Sequence, residues 1–298
     1  MNRLILIGNG FDLAHGIQTG YNDFIKWYFQ QCLAQAGAGT ISEDPLLRIS
    51  TSGNPIPNPL KDVDGYLQHF YEIGLDRSEI ASFKLKGYSH YFTNPFSVLI
   101  KSKLARLLLQ KCSYTTWVEI ENDFYDCLTE ILKSSKNKRK DLDELNDSLA
   151  FIIEKLSEYL ASLKSEYLVD GYPEILQMPF RKTDFVPEME VAERPEHTMI
   201  LNFNYTDTVE NYFRRHTLVR LPVVPPIEVN YIHGKLDDPS NPLIFGFGDE
   251  LDDNYRAMEL EKTKGFLKYI KSFWYFRTSN YHDLLRFTQS APYQVFVL

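Results

Sequence analysis

Two apolar runs far apart in the chain constrain its fold most. Arg3–Ile7 (RLILI) leads straight into Gly8-Asn9-Gly10-Phe11-Asp12, and Thr198–Glu210 (TMILNFNYTDTVE) is a second apolar run ending in short polar side chains. Near-continuous apolar runs of this length are what strands of a parallel sheet look like when both faces are buried. In such sheets ligands bind beyond the carboxyl ends of the strands. Gly8–Asp12 and Asn202–Asp207 are therefore expected to form two lips of one site. Asn230–Gly234 (NYIHG) is a candidate third lip, placing His233 at the end of another strand.

The order of elements supports the same fold class. Strands are expected at 3–7, 198–203, 229–232, 243–247 and 293–298. The loop at 8–19 is followed by a helix over 21–36, and helices are expected from Asp207 to about His216, over 255–276 and over 281–288. Strands alternating with helices imply an α/β chain with a Rossmann-like parallel sheet. Residues 37–64, rich in glycine and proline, read as an irregular excursion, with Asn54–Pro59 extended.

From 95 to 167 the pattern turns helical. Asn94 with Pro95 reads as a helix start, and an amphipathic helix follows to about Lys111. Thr116–Glu119 has the form of a capping box, ahead of Trp117, Ile120, Phe124, Leu128 and Ile131 at helical spacing. Apolar residues from Leu142 to Leu163 repeat similarly along a helix of about 26 residues. Residues 1–36 and 195–298 are thus expected to form a nucleotide-binding domain, and 37–194 a large inserted, mostly helical subdomain. The last strand stops without the ligand loop that should follow it, which leads us to expect a truncated C-terminus.

Composition narrows the function classes. With 44% hydrophobic residues among 298, the chain can bury a substantial core. A net charge of −8 argues against broad nucleic-acid binding, and the basic run Lys136–Lys140 reads as a solvated loop. Three scattered cysteines, Cys32, Cys112 and Cys127, make neither a disulfide framework nor a zinc ribbon. No signal-peptide pattern and no long apolar run is present, so the expected location is the cytoplasm, with no membrane partner and no metal.

Several residues have chemistry to offer. Gly8-Asn9-Gly10 resembles the start of a dinucleotide-binding turn, in which the second glycine lets backbone approach a phosphate. Position 13 is Leu where the third glycine would stand, so a hydride-transfer dehydrogenase is disfavoured and a purely structural turn remains open. Helix capping accounts for Thr206 or Asp207, with Glu210 completing a box, but leaves Asn204 unexplained. A lone histidine is usually a packing residue. At a strand end, however, His233 can take a proton from a sugar hydroxyl or water. Gly246-Phe247-Gly248 followed by Asp249 and Glu250 repeats the strand-then-glycine device. A nuclease-like reading would need a metal cluster, for which only the acidic run 249–253 offers itself.

Together, LILIGNGFDLAHGI, WVEIENDF at 117–124, LNFNYTDTVE, YIHG and IFGFGDELD at 244–252 resemble the bacterial abortive-infection AbiH-like family along nearly the whole chain. Members of that family continue past such a last strand into a glycine-histidine-serine loop, which this chain lacks. More distantly, the same order resembles sirtuin-like NAD-consuming enzymes. Asn204 stands where they carry a nicotinamide-side Asn, His233-Gly234 matches their His-Gly, and Phe247-Gly248-Asp249 approximates their Phe-Gly-Glu. Asp12 departs from their small hydroxyl residue, and their four zinc cysteines have no counterpart. The resemblance implies an anti-phage protein that binds NAD through Gly8, Asn9, Gly10, Asp12, Asn202, Gly246 and Gly248, with Asn204 and His233 catalysing cleavage of the nicotinamide bond. The alternative is an NAD or ADP-ribose sensor without turnover. A homo-oligomer and a phage-derived trigger are the further partners expected.

Overall fold

The computed structural model describes residues 1–39, 41–51, 79–80, 96–111, 117–163, 168–181, 194–216, 227–248 and 252–298. In chain order the described elements are β1 (Asn2–Ile7), α1 (Asn9–Ala14), α2 (Tyr21–Ala38), β2 (Ile41–Glu43), β3 (Leu47–Thr51), β4 (Glu79–Ile80), β5 (Phe96–Ile100), α3 (Lys103–Lys111), α4 (Trp117–Ser134), α5 (Lys138–Ser162), α6 (Tyr172–Leu176), β6 (Thr198–Asn202), α7 (Glu210–His216), β7 (Ile227–Tyr231), α8 (Asp253–Leu260), α9 (Lys271–Tyr275), α10 (Asn280–Ser290) and β8 (Tyr293–Val297). The chain is a mixed α/β protein. It divides into two compact units, residues 1–19, 160–244 and 271–298 in one, and 20–159 and 245–270 in the other.

The first unit is built on a four-stranded parallel sheet in the order β7-β6-β1-β8. Register aligns the carboxyl ends: Ile7 pairs with Asn202, and Asn202 with Tyr231. At the central strands β1 and β6 both faces are covered, which explains why these two are so apolar, whereas Tyr293, Val295 and Val297 of the edge strand β8 are exposed. Ile5, Ile7 and Ile200 pack with Phe11, Leu176, Val209 and Tyr212 on one face. Leu4, Met199 and Leu201 pack with Ile232 and Phe287 on the other. Arg3 is buried among them, its Nε donating to Gln294 at 3.2 Å and its guanidinium lying 4.7 Å from the Phe180 ring.

The second unit holds α2 to α5, α8 and an antiparallel sheet in the order β2-β3-β5-β4. Its strands correct two expectations. Residues 41–51 are not irregular but form a hairpin, turned by Asp44, whose Oδ1 accepts from Leu46 N at 2.7 Å and Leu47 N at 2.9 Å. Nor does a helix run from the Asn94–Pro95 start, which lies outside the described residues. Phe96–Ile100 is instead a strand paired with β3, burying Val98 and Ile100, as its β-branched and aromatic side chains favour. The helix begins only at Lys103, with Ser102 Oγ accepting from Ala105 N at 3.3 Å.

Three further expectations change. Residues 9–14 are a short helix rather than loop. Residues 243–247 form no strand beyond one bridge from Phe247 to Ile270. The backbone there is used elsewhere: Ile244 N donates to His233 O at 2.7 Å, and Ile244 O accepts from the Tyr205 hydroxyl at 3.1 Å. The helix expected over 255–276 is two, because the chain turns extended at Glu261 and Gly265 takes a φ of 120°. No described helix is long and apolar enough to cross a membrane.

Candidate functional site

The carboxyl edge of the parallel sheet gathers Gly8, Asn204 and His233, all in the first unit. β6 lies between β1 and β7, so the ends carrying Gly8 and His233 stand two strand spacings, about 10 Å, apart. Phe203 N donates to Ile7 O at 2.9 Å and Ile232 N to Asn202 O at 3.2 Å, which continues the sheet one step past its strands and fixes the three lips relative to one another.

Gly8 and Gly10 leave their surroundings open, since a Cβ at either would meet no atom within 4 Å. Gly8 has φ −120° and ψ −169°, extended backbone that any residue adopts. Neither packing nor conformation demands glycine there. What its small size spares is free approach to the backbone. Asn9 is half-buried, and its Oδ1 accepts from Thr19 Oγ1 at 2.6 Å, tying the turn to the end of its loop.

The polar side chains behind the turn form one connected network. Asn204 Nδ2 donates to Gly8 O at 2.9 Å. Asn202 Oδ1 accepts from Asn204 N at 2.9 Å, and Asn202 Nδ2 donates to Thr206 O at 3.3 Å. Thr206 Oγ1 donates to Asp12 Oδ2 at 2.6 Å, and Thr208 Oγ1 to Thr206 Oγ1 at 3.1 Å. Asn202, Asn204, Thr206 and Asp12 are all buried, Asp12 at 1% exposure. Burial raises the Asp12 carboxyl above its ordinary range, opposed by the two threonine hydroxyls and the nearby His15.

Thr206 and Glu210, expected at a helix cap, also have partners elsewhere. Thr206 serves Asp12, while the Glu210 carboxylate accepts from Tyr231 OH at 2.8 Å, Lys235 Nζ at 2.5 Å and Arg214 Nη2 at 3.0 Å. It therefore joins α7 to β7 and the loop after it.

His233 is half-buried, and its imidazole is pushed down to about 4, chiefly by burial and secondarily by the positive charge of Lys271; a hydrogen bond to the Phe203 backbone acts the other way. It is thus neutral at physiological pH. The Phe203 ring stands at 77° to it with centroids 5.2 Å apart, and Tyr275 stacks on it at 6.0 Å and 9°. Gly234 has a packing duty: φ is 90°, and a Cβ would collide with the Pro242 carbonyl.

Gly246 and Gly248 lie in the second unit. Gly246 is explained by packing, since a side chain would strike the Tyr269 carbonyl. Asp249 and Glu250 lie outside the described residues, and no group of three or more His, Cys, Asp or Glu among those described could hold a metal.

Sequence reasoning passed over His15. Its Nδ1 lies 2.6 Å from Phe11 O and its Nε2 2.5 Å from Tyr212 OH, which also receives Val169 N at 3.0 Å. With Nδ1 protonated and Nε2 accepting, one neutral tautomer satisfies all three contacts. The signal was its place one helical turn after Phe11, visible only once 9–14 is read as helix.

These features define a class, a parallel α/β protein whose strand-end loops assemble an open glycine turn, a carboxamide and a neutral imidazole at one sheet edge. Within it, the chain belongs to the bacteriophage abortive infection AbiH family, whose model matches residues 4–295, and membership points to a role in abortive infection. No curated protein and no solved structure matches the chain.

Proposed function

We propose that the protein acts in anti-phage abortive infection by binding NAD at this Rossmann-like edge and hydrolysing its nicotinamide N-glycosidic bond. The observation that carries the reading is the convergence of Gly8-Asn9-Gly10, Asn204 and His233, from three separate strands, on one carboxyl edge. Gly8 and Gly10 supply the open backbone that a pyrophosphate needs. The similarity of the motif order to sirtuin-like enzymes suggests the cofactor as substrate. In the reaction, water adds to the ribose C1′, the C–N bond breaks, nicotinamide leaves with the bonding electron pair, and the water gives up a proton. Asn204, held at Gly8, orients the ribose or the water, and neutral His233 accepts the hydrogen bond of the attacking water.

The test is incubation of the purified protein with NAD, followed by chromatography. Nicotinamide and ADP-ribose are the expected products, lost in His233→Ala and in Asn204→Ala. Undiminished turnover in both variants overturns the assignment. One observation favours the second reading, a sensor that binds without turnover: an imidazole at about 4 is a weak base. It predicts a higher melting temperature with NAD or ADP-ribose and no product.

A further inference from the structure

Phe203 stands out at the sheet edge. It lies between Asn202, 1% exposed, and Asn204, 7% exposed, yet is itself 38% exposed. It follows five wholly buried strand residues, and its amide is locked to Ile7 O. The backbone therefore fixes the residue at the carboxyl edge of the sheet. A scattered exposed aromatic needs no explanation, but this one sits where α/β sheets bind ligands. Its ring stands nearly perpendicular to that of His233, which stacks on Tyr275, and the Tyr205 ring lies 6.5 Å from the same imidazole. The ring is thus fixed by its neighbours, which lowers the entropy cost of stacking something on it. Lys271 brings a positive charge close enough to His233 to act on it. A supported aromatic surface beside a cation and an open glycine turn suits a planar heteroaromatic ring bearing phosphate.

We propose that Phe203 is a stacking platform for the base of a nucleotide, and so selects ligands by their heteroaromatic ring. This deepens the NAD reading and rests on it for the choice of dinucleotide, though not for the nucleotide class. The structure holds the ring nearly perpendicular to His233 and leaves the residue 38% exposed, so surface remains for a planar partner, where base–aromatic stacking contributes substantially to affinity.

The experiment is calorimetric titration of the full chain with NAD, AMP, nicotinamide mononucleotide and ribose 5-phosphate, for wild type, Phe203→Ala and Phe203→Trp. Truncation to Ala is expected to weaken every ring-bearing ligand that binds by about fivefold to a hundredfold. Phe203→Trp should bind as tightly as wild type or tighter, and ribose 5-phosphate should respond to neither change. Wild-type affinity for the ring-bearing ligands in Phe203→Ala overturns the platform and leaves the NAD reading standing. Phe203-dependent binding of AMP without binding of NAD does the reverse. Failure of all three ring-bearing probes to bind wild type at millimolar concentration overturns the platform as well. Because Phe203 is partly exposed and outside the core clusters, an unchanged melting temperature is expected in Phe203→Ala, and this separates lost stacking from lost fold.

Discussion

Half-buried His233 and fully buried Asp12 are both titratable, and they pull stability in opposite directions with pH. The folded imidazole is held at about 4, below its ordinary 6.5, so the unfolded chain takes up the proton first. The stability that neutral His233 contributes is whole above 6.5 and is lost as pH falls from 6.5 to 4. Denaturant titrations at stepped pH should show this decline in wild type and a flatter profile across the window in His233→Gln. Any His233-dependent activity should keep its acid limb near 4 rather than 6.5. For Asp12 the folded carboxyl is raised above 3.8, so the folded chain keeps its proton longer. Stability then falls as pH rises from 3.8 through the folded value. Asp12→Asn, which keeps an acceptor for Thr206, should match or exceed wild-type stability at pH 7.5 and lose that margin toward pH 4. Asp12→Ala strands the buried Thr206 hydroxyl and should destabilise by about 1–3 kcal/mol in the same assay.

At the scale of the element, the glycines separate into those the fold requires and those it does not. Gly234 has positive φ and its Cβ would collide with backbone, so Gly234→Ala should cost at least about 2 kcal/mol in equilibrium unfolding. Gly10 sits in α1 with open space around it. Gly10→Ala should raise stability by about 0.5–1 kcal/mol, as expected for alanine over glycine in a helix. If NAD approaches the turn, the same substitution should weaken its binding, and calorimetry on one preparation reads both effects. A stabilised variant with undiminished NAD affinity would place the ligand elsewhere. α1 is itself instructive, because it carries Phe11 into the core and Asp12 into the polar network, and sets His15, just past its end, against Tyr212.

Across the whole molecule, the two described thiols belong to the second unit, and burial pushes both up, Cys32 to about 12 and Cys127 to about 11. The thiolate is the reactive form. In a Cys112→Ser variant, both should resist alkylation at pH 8 in the folded state and react fully in denaturing guanidinium chloride. Rapid labelling of either in native buffer would show that the second unit opens readily. The first unit carries the proposed chemistry on a sheet whose central strands are buried on both faces, so their ends are positioned by packing and ladder bonds together.

What the sequence determined by itself was whatever rests on local periodicity. The strands at 2–7 and 198–202 are apolar enough to be read without partners, the helices at 117–134 and 138–162 repeat their core residues every three or four positions, and the ordered motifs declare the family. Tertiary structure decided what depends on partners remote in the chain. Phe96–Ile100 is a strand because Leu47–Thr51 lies beside it, whereas the equally apolar 243–247 has no such ladder to join. Asn202 and Asp12 read as ligand residues from their place at strand ends, yet their hydrogen bonds turn inward to the loop and to Thr206. Spacing along a chain reports which face a side chain occupies; which donor meets which acceptor is settled only when distant segments pack.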